Sequence, residues 1–313
     1  MNELKPVENP YKDLTKKIKK AMRNEDVVDF SNTEIAFADK SDSELKKAAW
    51  LFGMMNKSWV TNWGTQFGAW AVKWRLPFSE SVTYNTIFQQ FCGGRTLLES
   101  QGTINRLSNF WVASILDYGA EAKESEEDFN KTMNENIRAI DFASQNETVP
   151  VISTKITGLA RFGLLEKMQS DENLTAQEKQ EYTNVLKRID SICHTGQQKG
   201  VSVFIDAEES WIQDAIDHFA NLMMERYNRE KVVVYNTFQM YRNDRLDFLK
   251  VSFDIAKSDG YLLGAKLVRG AYMEKERERA KELGYPSPIQ PTKEATDTNY
   301  NEGIKFCVEN YEK

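Results

Sequence analysis

The chain has 313 residues, of which 41% are hydrophobic and 28% are charged, a balance typical of a folded globular protein with one large or two small domains. Its net charge is −6, which argues against nucleic acid as a partner, because such proteins usually present a basic face to the phosphates. The sequence lacks the apolar core of a secretory signal and any apolar run of the ~18 residues that span a bilayer. We therefore expect a cytoplasmic protein, or one held peripherally on the inner membrane.

Cysteine and histidine are few and scattered along the chain. The three cysteines, Cys92, Cys193 and Cys307, are widely spaced and include no CxxC pair, so they lack the pattern of a disulfide framework. The two histidines, His194 and His218, fall in no spacing that zinc sites use. We expect no bound metal.

Residues 1–110 are predicted to form an N-terminal helical region, in which Asn32 precedes an apolar-periodic stretch as an N-cap residue does. Five of the seven tryptophans crowd into the segment between residues 50 and 74. Two interpretations remain open. The aromatic side chains either pack against a larger body, or they form a patch that contacts a membrane, since tryptophan and lysine are enriched at that interface.

Short apolar runs alternate with longer amphipathic stretches from residue 111 onward. The predicted strands are Trp111–Leu116, Val149–Thr154, Val201–Ile205, Lys231–Thr237 and Leu262–Val268. The predicted helices are Ser125–Asn146, Thr175–Gly196, Trp211–Asn228, Asp244–Asp259 and Ala295–Tyr311. Strands that alternate with helices in this way indicate βαβ units, and hence an α/β protein with a parallel sheet.

Two parallel architectures fit that alternation, a doubly wound sheet and a closed barrel. A doubly wound dinucleotide fold carries a GxGxxG turn after its first strand, and no such motif occurs here. Polar residues instead follow several of the predicted strands: Asp117, Lys155, Asp206, Gln239 and Arg269. Because a barrel enzyme gathers its chemistry from the carboxyl ends of several strands, we predict a β/α (TIM-like) barrel.

The predicted barrel is short of strands. A complete barrel has eight strands in roughly 250 residues, whereas residues 111–313 supply five predicted strands. We therefore expect a barrel truncated after about the fifth strand. An open parallel arc leaves an unpaired edge and exposed apolar surface, so we expect either further sequence or a partner to cover it.

The residue types at the strand ends favour an active site that binds anions. Lys155 places an ammonium group at the mouth, and Asp206 supplies a carboxylate on the next strand end. Lys266 lies inside an apolar strand, and the cation Arg269 is followed by the small residues Gly270 and Ala271, which suits close backbone approach to a phosphate. Taken singly, each charged residue could equally be half of a structural ion pair.

Four segments of the chain resemble the proline dehydrogenase family and occur in that family's order. They are Ile-Ser-Thr-Lys-Ile-Thr-Gly-Leu (152–159), Phe-Ile-Asp-Ala-Glu-Glu-Ser (204–210), Tyr-Asn-Thr-Phe-Gln-Met-Tyr (235–241) and Ala-Lys-Leu-Val-Arg-Gly-Ala-Tyr (265–272). Leu116-Asp117-Tyr118 looks like the family's first barrel strand. The resemblance runs from roughly residue 91 onward. It implies a distorted β/α-barrel preceded by helices, with FAD bound without a Rossmann fingerprint.

The resemblance also implies a reaction. Members of the family transfer hydride from proline C5 to flavin N5, which yields 1-pyrroline-5-carboxylate on the route from proline to glutamate, and the electrons pass to a membrane quinone. By motif position, Lys155 binds the proline carboxylate, Asp206 lies beside it and organises the clamp, and Tyr272 packs near the substrate or the flavin. Lys266 takes the place of an arginine that many bacterial members hold near flavin N5, where a cation stabilises the developing charge.

Further positions match the family's cofactor site. The residues expected to contact FAD are Ala207, Gln239, Lys266, Arg269, Gly270, Ala271 and Thr296. The chain also departs from the family pattern. It lacks both the paired arginine that completes the carboxylate clamp and the Thr-His-Asn segment of the sixth strand.

Two other functions remain open at this stage. Lys155 at a barrel strand end could be a Schiff-base lysine of a lyase, which requires a lowered lysine pKa and a carbonyl substrate. Alternatively, the chain could be an inactive or ligand-binding fragment of the same fold, since two elements of the family's site are missing.

Overall fold

The computed structural model describes residues 31–74, 76, 79–170 and 172–311. The first thirty residues of the predicted helical region lie outside that part. Contacts divide the chain between Cys92 and Gly93 into two compact units. The predicted domain boundary at residue 110 stays a prediction.

The first unit is helical in its described residues. Its helices are α1 (Thr33–Ala36), α2 (Asp42–Met55), α3 (Ser58–Lys73), α4 (Ser79–Thr83), a π-helical turn (Tyr84–Phe88) and α5 (Gln89–Phe91). Ser41 begins α2 with a capping box, because its side chain accepts from the Glu44 amide while the Glu44 carboxylate accepts from the Ser41 amide. Among the described residues, no helix is long and apolar enough to cross a membrane.

The second unit contains a parallel sheet, as predicted. After helix α6 (Leu97–Ser108), the strands are β1 (Ile115–Asp117), β2 (Val151–Thr154), β3 (Ser202–Ile205), β4 (Val234–Gln239) and β5 (Ala265–Val268). Every neighbouring pair is parallel, and the order in the sheet is the order in the chain. That consecutive order is the one a β/α-barrel builds, so the predicted fold class is confirmed.

Helices connect the strands. They are α7 (Glu126–Ala143), a 3₁₀ turn (Ile156–Gly158), α8 (Phe162–Gln169), α9 (Ala176–Lys199), α10 (Ser210–Tyr227), α11 (Arg245–Asp259), α12 (Met273–Leu283) and α13 (Lys293–Asn310). The long helix α9 begins with a capping box at Thr175 and ends at Gly200, whose positive φ of 73° suits glycine. These ends explain why the sequence pattern located this helix to within a few residues.

One face of the sheet is buried under helices along β2, β3 and β4. Ile152, Val203, Val234 and Phe238 have no exposed surface, and they lie on the face covered by α7, α9, α10 and α11. Successive side chains of a strand point to opposite faces. The residues between them therefore line the inner side of the sheet, and at its carboxyl end this inner side holds the predicted site.

All five strands begin one to four residues later than predicted. Trp111 has a positive φ of 62°, which no strand residue adopts, and β1 starts at Ile115. Leu262 uses its amide to bond the carbonyl of Asn228, so it belongs to the turn before β5. Apolar composition predicted these residues as strand, but the Trp111 amide bonds the nearby Ser108 carbonyl and the Leu262 amide bonds Asn228, directly after α10, so neither joins the sheet ladder.

Candidate active site

Four of the predicted site residues meet at the carboxyl end of the sheet. Lys155 follows β2 directly, Asp206 follows β3, Gln239 ends β4, and Lys266 lies within β5. In the sheet register, Ser153 pairs with Phe204 and Thr237 pairs with Lys266. Since side chains two residues apart share a face, the side chains of Lys155, Asp206 and Lys266 point to the inner side.

Lys155 is held by two carboxylates that follow β1. Its Nζ lies 3.0 Å from Glu121 Oε1 and 3.9 Å from Asp117 Oδ2. Burial alone would lower the pKa of Lys155, but the hydrogen bond to Glu121 and the charge of Asp117 outweigh it and raise that pKa above its ordinary value. Lys155 is therefore a stable cation at neutral pH.

Asp206 and Lys266 form the second ion pair of the mouth. Lys266 Nζ donates to Asp206 Oδ1 at 2.6 Å, and the same ammonium lies 5.3 Å from the centre of the Phe204 ring. Both side chains are largely screened from solvent. This arrangement fixes a paired cation on the inner side of β5, an edge strand of the described sheet, and a cation held in this way can stabilise a developing negative charge.

Gln239 is almost completely buried, with 1% of its surface exposed. Its Nε2 donates to the carbonyl of Glu208 at 2.6 Å and to the Tyr241 hydroxyl at 2.9 Å, which uses both amide protons. Its Oε1 has no hydrogen-bond partner among the described residues. A buried acceptor without a donor is costly, so this oxygen is available to an N–H or O–H group of a bound molecule.

The loop after β5 forms an open, cationic bend. Gly270 has a positive φ of 103° and free space where a Cβ would stand. Arg269 contacts the carboxylate of Asp297, and its guanidinium carbon lies 4.7 Å from the centre of the Tyr300 ring. A groove of about 470 Å³ runs between this bend and the start of α13. Backbone amides at a helix start and nearby cations suit a phosphate.

Thr296 lines that groove with Arg269 and Gly270. It therefore lies beside the bend after β5, and not with Lys155 and Asp206 at the carboxyl end of the sheet. Its hydroxyl donates to the carbonyl of Thr292 at 3.2 Å. Ala271 and Tyr272 line a neighbouring cavity of about 540 Å³. Burial, with the charges of nearby glutamates, raises the pKa of Tyr272 well above its usual range, so its hydroxyl stays protonated.

Ala207 is buried directly after Asp206. Its methyl side chain adds no charge and no hydrogen-bonding group to the site.

Sequence reasoning missed two residues of the site. Glu121 holds Lys155, and Tyr241 accepts a hydrogen bond from Gln239. Glu121 lies only four residues beyond the end of β1, so the same rule that singled out polar strand ends could have found it. Tyr241 carried no such signal, because an aromatic residue after a strand usually reads as core.

Comparisons with known proteins identify the family of the chain. The family model described as proline dehydrogenase matches residues 100–313. The chain is 31% identical over 271 residues to proline dehydrogenase 1, mitochondrial, of Dictyostelium discoideum, covering 74% of this chain and 47% of that protein. It is also 31% identical over 218 residues to the carbapenem antibiotics biosynthesis protein CarD of Pectobacterium carotovorum subsp. carotovorum, covering 70% and 57%. The chain spans about half the length of these relatives.

A solved structure shows the same fold. Proline utilization A (PutA) from Bdellovibrio bacteriovorus, inactivated by N-propargylglycine, superposes with a TM-score of 0.64 at 17% sequence identity, over 99% of this chain and 31% of that chain. The family match covers more than half of the residues and includes all five strands. The chain therefore belongs to the proline dehydrogenase family.

Proposed function

We propose that this chain oxidises L-proline to 1-pyrroline-5-carboxylate, on the route from proline to glutamate, with FAD as hydride acceptor and a membrane quinone as final acceptor. One observation carries the proposal beyond family membership. Lys155 and the Asp206–Lys266 pair stand together on the inner face at the carboxyl end of the sheet, where a small anionic substrate can meet a second bound molecule.

The residues present fit FAD. The unpartnered Oε1 of Gln239 requires a donor, and the bend at Arg269, Gly270 and Ala271 opens beside the start of α13. In this proposal, Gln239 and Ala207 hold the ring system, while Arg269, Gly270, Ala271 and Thr296 hold the phosphate portion. FAD, when bound, supplies the acceptor for the hydride that leaves proline C5.

The protein's own part in catalysis is to bind, orient and stabilise charge. The ammonium of Lys155 attracts the proline carboxylate, and Asp206 fixes the neighbouring cation Lys266 by its 2.6 Å hydrogen bond. Fixing a small substrate in a reactive orientation can lower a barrier by several kcal/mol, roughly. Lys266 places its charge where electron density accumulates during hydride transfer, and Tyr272 closes the substrate side.

The geometry disfavours the Schiff-base alternative. A lysine that attacks a carbonyl must lose its proton, and active sites lower the lysine pKa for that purpose. Here the carboxylates of Glu121 and Asp117 raise the pKa of Lys155. A cation of this kind binds a carboxylate better than it attacks a carbonyl.

An absorption spectrum of the purified chain with added FAD tests the proposal. Bound flavin that loses its band when L-proline is added anaerobically would support it, and Lys155→Met should keep the band but abolish its loss at the same proline concentration. Bound flavin that proline never bleaches would point to the alternative of a ligand-binding fragment. Absence of bound flavin would contradict the cofactor assignment.

We also propose that α3 contacts a membrane surface, which would bring the chain to its quinone. Trp63, Phe67, Trp70 and Trp74 follow one another at helical spacing, and each is 49–74% exposed. The side chain of Trp59 lies outside the described part. Replacing Trp63 and Trp70 by serine should reduce co-sedimentation with anionic liposomes, whereas unchanged co-sedimentation would rule this surface out.

A further inference from the structure

Glu208 is a buried carboxylate that the proposed chemistry does not use. Only 2% of its surface is exposed. Both of its carboxylate oxygens accept hydrogen bonds from one residue: the Thr157 amide donates to Oε1 at 3.0 Å, and the Thr157 hydroxyl donates to Oε2. A carboxylate held at both oxygens by a single neighbour has a fixed orientation.

This contact joins two loops that carry site residues. Thr157 lies two residues after Lys155, and Glu208 lies two residues after Asp206. The ladder between β2 and β3 ends with the pair Thr154 and Ile205. Beyond that point the strands have no regular backbone pairing, so the bonds between Thr157 and Glu208 hold the two loops together where Lys155 and Asp206 project.

The main chain of Glu208 extends the connection to a third strand and to the core. Its carbonyl accepts from Gln239 Nε2 at 2.6 Å, and its amide donates to Gln213 Oε1 at 2.8 Å. Gln213 in turn donates to Asp217, which is paired with the buried Arg245 at 2.6 Å. The backbone of Glu208 is thus linked through Gln213 to the buried ion pair of Asp217 and Arg245.

We propose that Glu208 is a positioning residue, whose side chain holds the loop of Lys155 against the loop of Asp206 without touching the substrate. The effect expected on catalysis rests on the proposed function, whereas the joining of the two loops by Thr157 and Glu208 does not depend on it. If Glu208 sets the position of Lys155, its loss must weaken substrate binding more than it slows the chemical step.

The test compares Glu208→Ala and Glu208→Gln in the FAD-loaded chain. The alanine variant should raise the KM for proline about tenfold with a much smaller change in kcat, because Lys155 is displaced and not removed. Glutamine has the same shape and can still accept from the Thr157 amide, so it should restore most of the loss. A fall in kcat at unchanged KM in the alanine variant, or no rescue by glutamine, would overturn the proposal.

Amide hydrogen exchange gives a readout that does not depend on turnover. In Glu208→Ala, peptides covering residues 153–160 and 206–213 should both exchange several-fold faster than in the parent chain. Glu209→Gln is the matched control. The carboxylate of Glu209 is next to Glu208 in the chain but pairs with the exposed Lys275, so residues 153–160 should exchange in this variant as in the parent. Unchanged exchange at residues 153–160 in Glu208→Ala would reject the proposal even if the parent chain failed to oxidise proline.

Thr157→Val provides a second route should the alanine variant not fold. It removes one hydrogen bond to Glu208 and leaves the amide contact, at nearly constant volume. Exchange should rise at residues 153–160, and KM should rise by a smaller factor than in Glu208→Ala. Parental values for both quantities would contradict the role assigned to Glu208.

Discussion

Lys155 already forms an ion pair with Glu121, the same kind of contact that it is proposed to make with the carboxylate of the substrate. Its ammonium lies 3.0 Å from Glu121 Oε1, so a substrate carboxylate has to compete with a carboxylate that belongs to the protein. Glu121 is about half exposed, and ion pairs in such positions contribute only about 0.2–1 kcal/mol. The competition is therefore weak enough for an incoming anion to win.

Removing the competing charge should tighten substrate binding. We expect Glu121→Gln to lower the KM for proline by about two- to fivefold, because Lys155 is then neutralised only by the more distant Asp117. Steady-state kinetics at constant ionic strength measures this. Glu124→Gln, an exposed change in the same loop, serves as the control and should leave KM unaltered; a higher KM in Glu121→Gln would mean that Glu121 orients Lys155 rather than competing for it.

Glu208 should make folding stability depend on pH. Burial raises its pKa to about 7, against the hydrogen bonds from Thr157 that lower it. The folded state thus binds a proton that the unfolded state releases near pH 4.5, so this stabilising contribution is complete below that pH and is lost as pH rises towards 7. Glu208→Gln cannot titrate. Its stability relative to the parent should therefore improve by about 2 kcal/mol between pH 5 and pH 8 in urea unfolding; a parallel pH profile would show that Glu208 stays ionised.

The two lysines of the site and Asp206 could be predicted from the sequence, but the pairing of each lysine with its carboxylate could not. Lys155 follows an apolar run and Lys266 interrupts one, and both patterns are visible in a single segment. The pairs with Glu121 and Asp206 join residues 34 and 60 positions apart in the chain. Such pairs depend on the strand order and on side-chain length, which no local pattern contains.

At the scale of the elements, the tightest packing around a described glycine is at Gly264, directly before β5. A Cβ on Gly264 would lie 2.2 Å from the Val234 carbonyl oxygen and 2.8 Å from Val232 Cγ1. The Gly264 carbonyl accepts from the Asn236 amide at 2.9 Å, so the backbone cannot move away without breaking the pairing of β4 and β5. Glycine is required here for close approach and not for its φ angle.

Gly264→Ala should destabilise the chain by about 2–3 kcal/mol, because either β5 shifts or overpacking remains. Gly102→Ala, within α6, is the matched control: no atom lies within 4 Å of its Cβ position, and alanine favours a helix by about 0.5–1 kcal/mol. Urea unfolding of both variants measures the difference. Equal stabilities would show that the β4–β5 junction relaxes freely.

The centres of the elements followed from the sequence, whereas some of their ends did not. β2 begins two residues later than predicted and β3 begins one residue later. These differences are small, since apolar strands buried by helices leave a clear signal in the sequence. β4 begins three residues later than predicted, at Val234, and extends two residues further, through the buried Phe238 to Gln239. The polar residue expected to follow this strand is therefore its last residue.

On the scale of the whole molecule, the parallel order of the strands explains why the residues of the proposed site gather at one end of the sheet. Every strand of the described sheet points the same way, so each following loop reaches the same end. The sheet thereby collects cations from β2 and β5 and carboxylates from the loops of β1 and β3. An antiparallel sheet of the same residues would distribute them over two ends.

Because those loops follow strands of one sheet, whose members β2, β3 and β4 carry buried residues, binding at the mouth should stabilise the unit from Gly93 onward as a whole. With free FAD at one hundred times its Kd, linkage gives about 2.7 kcal/mol, and amides that exchange through opening of the whole unit should slow by about a hundredfold. Hydrogen exchange of peptides from β2, β3 and β4 measures this.

Riboflavin is the matched control. It lacks the phosphates that the bend at Gly270 and the start of α13 are proposed to bind, so at equal concentration it should protect these strands far less. Equal protection by the two compounds would remove the phosphate site from the groove between Arg269 and Thr296, and protection by neither would remove FAD from the mouth of the sheet.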